Sequence, residues 1–349
     1  MVPARLRPAV ERARRVLRQQ AARRPRLRRG IEIAARELVN ALDDGRYDDP
    51  AYFGEGRNPL DRLGLSGYER YDRDTSNANT AAYILWRFFD GRRALDVGCA
   101  MGFVVEALRE LDIEAEGVDV SHYAVDHATP GAAGHVRQGN LLGRLPFPSG
   151  AFDVVSAFET LEHLPPEAIP AAVAELRRVT RGWVVATIPS FGPNDHGPGG
   201  WLDVKAAPDR LDHYRSLSPG YEGPIPYEDI YRDAGGEPIE GHLTLASFSW
   251  WTKRFEEAGF LRCGEVERRI HPQLARFGLT KYWNLYVFRL PGVEPQAGEL
   301  HSPEDIASVE RSFGLDGRVG SPDDLAAVEA GLAGTWTPPG LGGGWTTPA

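Results

Sequence analysis

Leu95-Asp96-Val97-Gly98-Cys99-Ala100-Met101-Gly102-Phe103 carries an apolar strand through a turn of small residues straight into a helix. Small residues at such a junction let the backbone approach a ligand closely and let the helix pack tightly on the strand. Seventeen residues past Gly102, at the tip of a second strand, Asp119 is placed to accept hydrogen bonds from both hydroxyls of a ribose. A dinucleotide-binding turn would read G-x-G-x-x-G, whereas this turn has only Gly98 and Gly102, with an acid two residues before the first. A carboxylate at Asp96 would repel a pyrophosphate and attract the ammonium of a methionine moiety, directly or through water. The implied ligand is S-adenosylmethionine rather than NAD.

Outward from this turn, strand and helix alternate. Candidate strands are Ala94–Val97, Ala115–Val120, His135–Gln138, Asp153–Phe158 and Trp183–Ile188. On Pro166–Val179, Ile169, Val173, Leu176 and Val179 share one helical face, and on Thr75–Phe89 the residues Ala81, Ile84, Leu85, Phe88 and Phe89 do the same. Alternation of this kind implies an α/β fold with a Rossmann-like, mostly parallel sheet and helices on both faces. Residues 190–241 break the pattern with Gly, Pro, Asp, Tyr and His and no clear apolar period. So long an irregular insertion in a compact domain reads as a lid or binding loop. A helix over Ser249–Ala258 closed by Gly259, then strands over Val266–Ile270 and Tyr282–Leu290, are expected to complete seven strands.

Over residues 75–290 the sequence resembles the class I S-adenosylmethionine-dependent methyltransferases. Their first motif, an acid followed by spaced glycines, matches Asp96 to Gly102, with Ala100 in place of the more frequent middle glycine. Their ribose acid matches Asp119, and their fourth-strand motif matches Phe152-Asp153-Val154-Val155-Ser156-Ala157-Phe158. The adenine-proximal acid falls at Asn140, whose amide also suits an adenine edge. The resemblance implies cofactor contacts from Asp96, Gly98, Cys99, Ala100, Gly102, Asp119, Val120, Asn140, Leu141 and Phe158.

Methyl transfer is an in-line displacement, so the protein has to align a nucleophile and, where needed, take its proton. Two segments are expected to meet beyond the carboxyl ends of strands four and five: Glu159-Thr160-Leu161-Glu162-His163, and the insertion with Asp195, His196, Trp201, His213, Tyr214 and Tyr221. The E-x-x-E-H spacing puts Glu159, Glu162 and His163 within one turn, a set suited to a hard metal ion. It is similar to the metal motif of small-RNA 2′-O-methyltransferases and of quinone-pathway O-methyltransferases. In the RNA enzymes a further His precedes the last major helix, where His242 stands in Gly241-His242-Leu243-Thr244. Glu162 and His163 also fit a Leu-Glu-His pattern of metal-free relatives, and the metal-free reading is preferred over a divalent metal at Glu159, Glu162, His163 and His242. Without metal, His163 leads as general base, with His196 and His242 as alternatives. The competing role for each is a hydrogen-bonded structural histidine. Trp250 and Trp251 suit core packing as well as acceptor stacking.

The chain has 349 residues and a net charge of −9. Residues 1–30 hold 11 Arg and one Glu, so +10 sits there and −19 on the remainder. Leu6, Val10, Ala13 and Leu17 stripe this arm, which suits either an anionic membrane surface or a solvated basic arm. Residues 31–74 read as a helical and loop extension, and the acidic residues 291–349 as a partly disordered tail. Within that tail Ser302-Pro303 and Ser321-Pro322 each open a short helix, and Gly334 to Ala349 is low in complexity, with Trp336 and Trp345 as anchors for a partner. Cys99 and Cys263 suggest neither a disulfide framework nor a Cys-based metal site. With no apolar span and no secretory signal, a cytoplasmic location is expected, peripheral at the inner membrane face if the arm binds lipid.

Segment 188–244 resembles bacterial methyltransferases that accompany glycosyltransferases in surface-glycan or glycosylated-metabolite pathways. The expected activity is therefore O-methylation of a sugar hydroxyl, with a small-molecule or glycan acceptor. An aromatic or quinone-like hydroxyl is the first alternative. An S-adenosylmethionine-binding module without catalysis, tethering partners through arm and tail, is the second. The acidic body argues against a nucleic-acid acceptor.

Overall fold

The structure, a computed structural model, describes residues 47–48, 50–54, 71–197, 199–200, 206–217, 220–232, 238, 241–279 and 284–333. The expectations for the basic arm, for most of the extension at 31–74, for Trp201 and for residues 334–349 lie outside them. Among the described residues, nine β-segments run in chain order: β1 Arg93–Val97, β2 Glu114–Asp119, β3 Val136–Gln138, β4 Phe152–Phe158, β5 Thr180–Thr187, β6 Ser190–Phe191, β7 Ala246–Ser247, β8 Leu261–Arg262 and β9 Leu285–Arg289. Seven form one sheet in the order β3-β2-β1-β4-β5-β9-β8, while β6 and β7 pair separately. The strands from β3 to β5 are parallel, and β9 runs antiparallel to both β5 and β8. The order reverses between β1 and β4, which opens a crevice at their carboxyl ends.

Helices cover both faces. α1 (Ala78–Phe88) and α2 (Phe103–Glu110) pack on one side together with α7 (Gly264–Arg276), where Val105, Leu108, Ile270 and Leu274 are buried. On the other side, α4 (Ile169–Val179) and α6 (Phe248–Glu257) bury Val173, Leu176, Trp251 and Phe255 against Leu95, Val155 and Phe288. Trp251 is fully buried and Trp250 partly so, which makes Trp251 a core residue. A short α3 (His122–Asp126) follows β2, capped by Ser121, whose hydroxyl accepts from the Ala124 N–H.

One expected strand is a helix. Val266 and Ile270 are four residues apart and face the core from α7, which runs through Pro272. Pro272 lacks the N–H of an interior helical residue, and this misleads a sequence reading. The edge strand is instead the two-residue β8. The sheet partner that a longer strand would offer comes from a side chain: the buried Glu267 carboxylate accepts the Val287 N–H at 2.9 Å and pairs with Arg262.

The first part of the acidic tail carries the two short helices that its sequence leads one to expect. α8 (Pro303–Ser312) and α9 (Pro322–Leu332) follow the predicted Ser-Pro starts, and Ser302 accepts from the Asp305 N–H. Glu310 anchors the tail to the body by accepting from Tyr83 at 2.5 Å and pairing with Arg276, while Phe313 and Leu315 join the core. Burial and the Glu310 bond push the Tyr83 phenol up to about 12.

Inside the insertion, α5 (Pro208–Leu217) stands where no helix is expected. Its buried Tyr214 joins Phe191, Ile225, Ile230 and Leu245 in a small core of its own, and its hydroxyl donates to Asp229. Cys99 and Cys263 are free and buried. Among the described residues, no helix is long and apolar enough to cross a membrane.

Candidate active site

The turn after β1 is built to hold Asp119 still. Gly98 and Cys99 donate their N–H groups to the Val118 carbonyl at 2.8 and 3.2 Å, which wraps the turn over the end of β2. Ala100 then presents its N–H to Asp119 Oδ2 at 2.7 Å, and Ser121 donates its N–H to Oδ1 at 2.8 Å. Each oxygen is thereby aimed by backbone, leaving lone pairs for a ligand diol. Burial pushes the Asp119 carboxyl up, against these backbone bonds. Ala100 itself sits at φ 46°, in the left-handed region where a side chain costs about 1 kcal/mol. That strain explains why the resembled family more often has glycine there.

The two glycines of the turn serve the protein's own packing. Gly98 has φ 75°, and a Cβ there would lie 2.4 Å from the Thr160 hydroxyl. Gly102, at φ 80°, would drive a Cβ to 2.7 Å from Ala132 and 2.8 Å from Val136. Thr160, which the sequence reading did not single out, thus locks the cofactor turn to the segment after β4, donating also toward Phe158 O at 2.9 Å. The Cys99 side chain points into the core, and burial pushes its thiol well up, so only its backbone faces the crevice side of the turn.

Asp96 is buried at the end of β1 and accepts from the Ser156 hydroxyl at 2.7 Å. Burial raises its carboxyl to about 7, partly offset by Ser156 and reinforced by Asp119. Two neighbouring carboxylates at one crevice form a natural partner for a cationic ligand. Val120, at the tip of β2, offers its carbonyl to Gln138 at 3.4 Å. After β3, Asn140 spends its side-chain oxygen on the Leu142 N–H at 2.8 Å, which leaves its amide as the group able to meet a base edge. Leu141 is buried below it, and Phe158 is half-buried at the end of β4.

Where the acceptor is expected, β4 leads into Glu159 at φ 47°, whose N–H donates to Thr187 O at 3.0 Å. A single 3-10 turn, Leu161–His163, follows. The Glu162 carbonyl accepts from both Leu243 and Thr244 at 2.7 and 2.9 Å, and the Thr244 hydroxyl donates to Leu164 O. These bonds bring the distant His242 against the turn. Donor atoms of Glu162, His163 and His242 lie within 4.8 Å of one another. Glu162 is fully buried, its Oε1 is 3.9 Å from His242 Nε2, and the two imidazoles meet edge to face with centroids 5.1 Å apart.

One carboxylate and two imidazoles are a donor set that suits a divalent transition metal. They suit equally an acid that orients a histidine base. Glu159, the fourth expected ligand, is not in this group. Neither is His196, which lies at the β8 edge over Gly264, 3.0 Å from Arg268 and close enough to Arg262 that burial and these cations push its imidazole down. Asp195 lines a cleft of about 540 Å³ along the same edge with Arg262 and Glu256. His213 is exposed on α5. A residue that sequence reasoning missed, Tyr47, reaches the group from the N-terminal side, its hydroxyl 3.3 Å from His163 Nδ1.

Residues 95–185 match the family model described as a methyltransferase domain. Among curated proteins, the ubiquinone biosynthesis O-methyltransferase of Methylococcus capsulatus is 36% identical over 94 residues, covering 25% of this chain and 40% of that protein. The ubiquinone biosynthesis O-methyltransferase of Burkholderia vietnamiensis is 32% identical over 109 residues, covering 27% and 43%. This chain thus spans about two fifths of the length of the curated relatives it matches. A S-adenosylmethionine-dependent methyltransferase from Archaeoglobus fulgidus is similar in structure at 16% identity and a TM-score of 0.37, covering 71% of this chain and 89% of that one.

Proposed function

We infer that this protein, in which residues 95–185 make up a class I S-adenosylmethionine-dependent methyltransferase domain, transfers the sulfonium methyl to a hydroxyl of a small-molecule acceptor. The observation that carries the reading is the doubly aimed Asp119 beside Asp96, next to a turn that Thr160 ties to the segment bearing Glu162 and His163, against which His242 is held. In the transfer, an acceptor oxygen forms a bond to the methyl carbon as the carbon–sulfur bond breaks, and the acceptor proton passes to a base. His163 and His242 are the candidates for that base, with the buried Glu162 to orient His242 and stabilise its cation.

The acidity of the acceptor links its identity to the metal question. A phenolic hydroxyl has a pKa of about 10, within reach of a histidine base, whereas an aliphatic sugar hydroxyl is far less acidic. The histidine pair alone therefore favours an aromatic or quinone-like acceptor, and the printed names of the curated relatives agree with that class. If Glu162, His163 and His242 held a divalent ion, it would lower the pKa of a bound hydroxyl. A sugar hydroxyl, first choice on the resemblance of segment 188–244, then comes within reach. The relatives match over about a quarter of the chain, and the sugar reading draws nothing from them.

Two measurements test this. Calorimetry on the intact chain is expected to show S-adenosylmethionine binding, and absence of heat from a folded protein would remove the proposal. Transfer of labelled methyl to a catechol and to a methyl glycoside, each with and without EDTA, separates the acceptors: EDTA-resistant labelling of the catechol supports the metal-free phenolic reading, and EDTA-sensitive labelling of the glycoside supports the other. A basic arm at residues 1–30 that binds anionic vesicles would add a peripheral membrane location to either.

A further inference from the structure

The methyltransferase-domain match begins at Leu95, yet a dipeptide from well before it touches both ends of the site. The carbonyl of Tyr47 accepts from the Ser121 hydroxyl at 2.5 Å. Asp48 Oδ1 accepts the Tyr123 N–H at 3.1 Å and lies 3.3 Å from the Ser121 hydroxyl. Ser121 is the residue whose own N–H aims Asp119. On the opposite side of the dipeptide, the Tyr47 hydroxyl is 3.3 Å from His163 Nδ1, and its ring meets the His163 imidazole edge to face at 5.9 Å.

The chain just after the dipeptide is fastened down by aromatic packing. Phe53 is buried, stacks on Tyr123 at 5.5 Å and meets Tyr71 edge to face, and Tyr71 in turn packs on Phe103 at the start of α2. Tyr47 packs edge-on against Tyr52 of the same segment. The position of the dipeptide is therefore set by contacts with the two helices that begin at the crevice, not by local propensity.

We propose that Tyr47 and Asp48 form a clasp of positioning residues, with Asp48 ordering the Ser121–Tyr123 turn that aims the ribose acid and Tyr47 orienting the His163 ring on the acceptor side. The proposal rests on the methyltransferase reading above. It assigns to the segment upstream of the recognised domain a part in both halves of the reaction. A hydrogen-bonding partner on one ring nitrogen fixes the tautomer and the rotation of an imidazole, which decides what the other nitrogen can do.

The test uses the full chain and S-adenosylmethionine as the probe, with calorimetry, the melting temperature of the unliganded protein, and long-range proton–nitrogen spectra of the histidine rings, assigned with His163→Gln. Asp48→Ala is expected to weaken binding roughly tenfold, from the loss of hydrogen bonds that preorganise the turn. Asp48→Asn keeps an accepting oxygen at the same place and should recover most of that affinity. Tyr47→Phe keeps the ring packing, and is expected to shift the His163 Nδ1 resonance while leaving the other rings in place. Wild-type affinity in Asp48→Ala, with binding by the parent intact, would sink the clasp and leave the methyltransferase reading standing. Equal losses in the Asn and Ala variants together with a lowered unliganded melting temperature would make Asp48 merely structural, and an unmoved His163 resonance would do the same for Tyr47. No binding by the parent chain would overturn the reading and the clasp together.

Discussion

The cofactor side and the acceptor side of the crevice are built by different means. On the cofactor side, Asp119 is held by N–H groups of Ala100 and Ser121, so the geometry comes from a backbone turn within one β-α-β unit. On the acceptor side, Glu162, His163 and His242 converge from segments some eighty residues apart, and the join is the Glu162 carbonyl accepting from Leu243 and Thr244. A backbone cradle tolerates variation in its side chains, provided the turn survives. A cluster of side chains tolerates little, since each member is a separate functional group. Binding should therefore be robust to acceptor-side substitutions, and turnover should not.

The largest expected effect separates the two sides most sharply. His163→Ala and His242→Ala should each lower the transfer rate by roughly a hundredfold to ten-thousandfold, while calorimetry shows S-adenosylmethionine affinity changed by less than about threefold. A parallel fall in affinity would show that the two sides are not separable. Next, Asp119→Ala should weaken cofactor binding about a hundredfold, because the variant loses both the diol acceptor and the acceptor of two backbone N–H groups. Retained affinity would place the ribose elsewhere.

Asp96→Asn should act in two directions. The folded protein holds the Asp96 proton up to about 7, against an ordinary value of 3.8, so the native state binds more protons than the unfolded chain between those values. Stability is therefore lost as pH rises through that window, and the whole penalty is present above it. Replacing the acid by its amide should raise the melting temperature of the unliganded protein more at pH 8 than at pH 5, while weakening S-adenosylmethionine binding about tenfold. In the parent chain the same proton predicts affinity rising between pH 6 and pH 8, as the ammonium of the ligand selects the ionised form. The smallest effect belongs to Ala100→Gly, which relieves the left-handed strain and loses some unfolded-state restriction; a gain of at most about 1 kcal/mol in denaturant midpoints is expected, with binding unchanged.

The contrast between the sides also explains what the sequence could tell. Asp96, Gly98, Gly102 and Asp119 sit at fixed short spacings around one strand-helix junction, and local spacing is what a sequence displays. Alternation from β1 to β5 is readable for the same reason, since short apolar clusters such as Val154-Val155 in β4 and Trp183-Val184-Val185-Ala186 in β5 recur between helical patterns. The placement of His242 is suggested by resemblance alone, and the sequence has no signal that separates it from His196, which lies at the β8 edge beside Arg262 and Arg268. Tyr47 carried no signal at all, because nothing in its neighbourhood marks a residue that acts across the fold. Likewise the last stretch of sheet is hard to read because Pro272 argues against a helix over Gly264–Arg276, and nothing local announces that the Glu267 carboxylate will accept the Val287 N–H.

Ser190 and Phe191 pair with Ala246 and Ser247, so the chain leaves the sheet and comes back at adjacent points. Among the described residues between these two points, Tyr214, Ile225 and Ile230 gather with Phe191 and Leu245 in a small core of their own, beside the paired ends. The entropy of closing such a loop grows only with the logarithm of its length. The part around Tyr214 is thereby an exchangeable cassette: provided that His242, Leu243 and Thr244 stay bonded to the turn at Glu162, it is expected to lengthen, shorten or change at little cost to the sheet, which would let new acceptors be tried against an unchanged methyl donor.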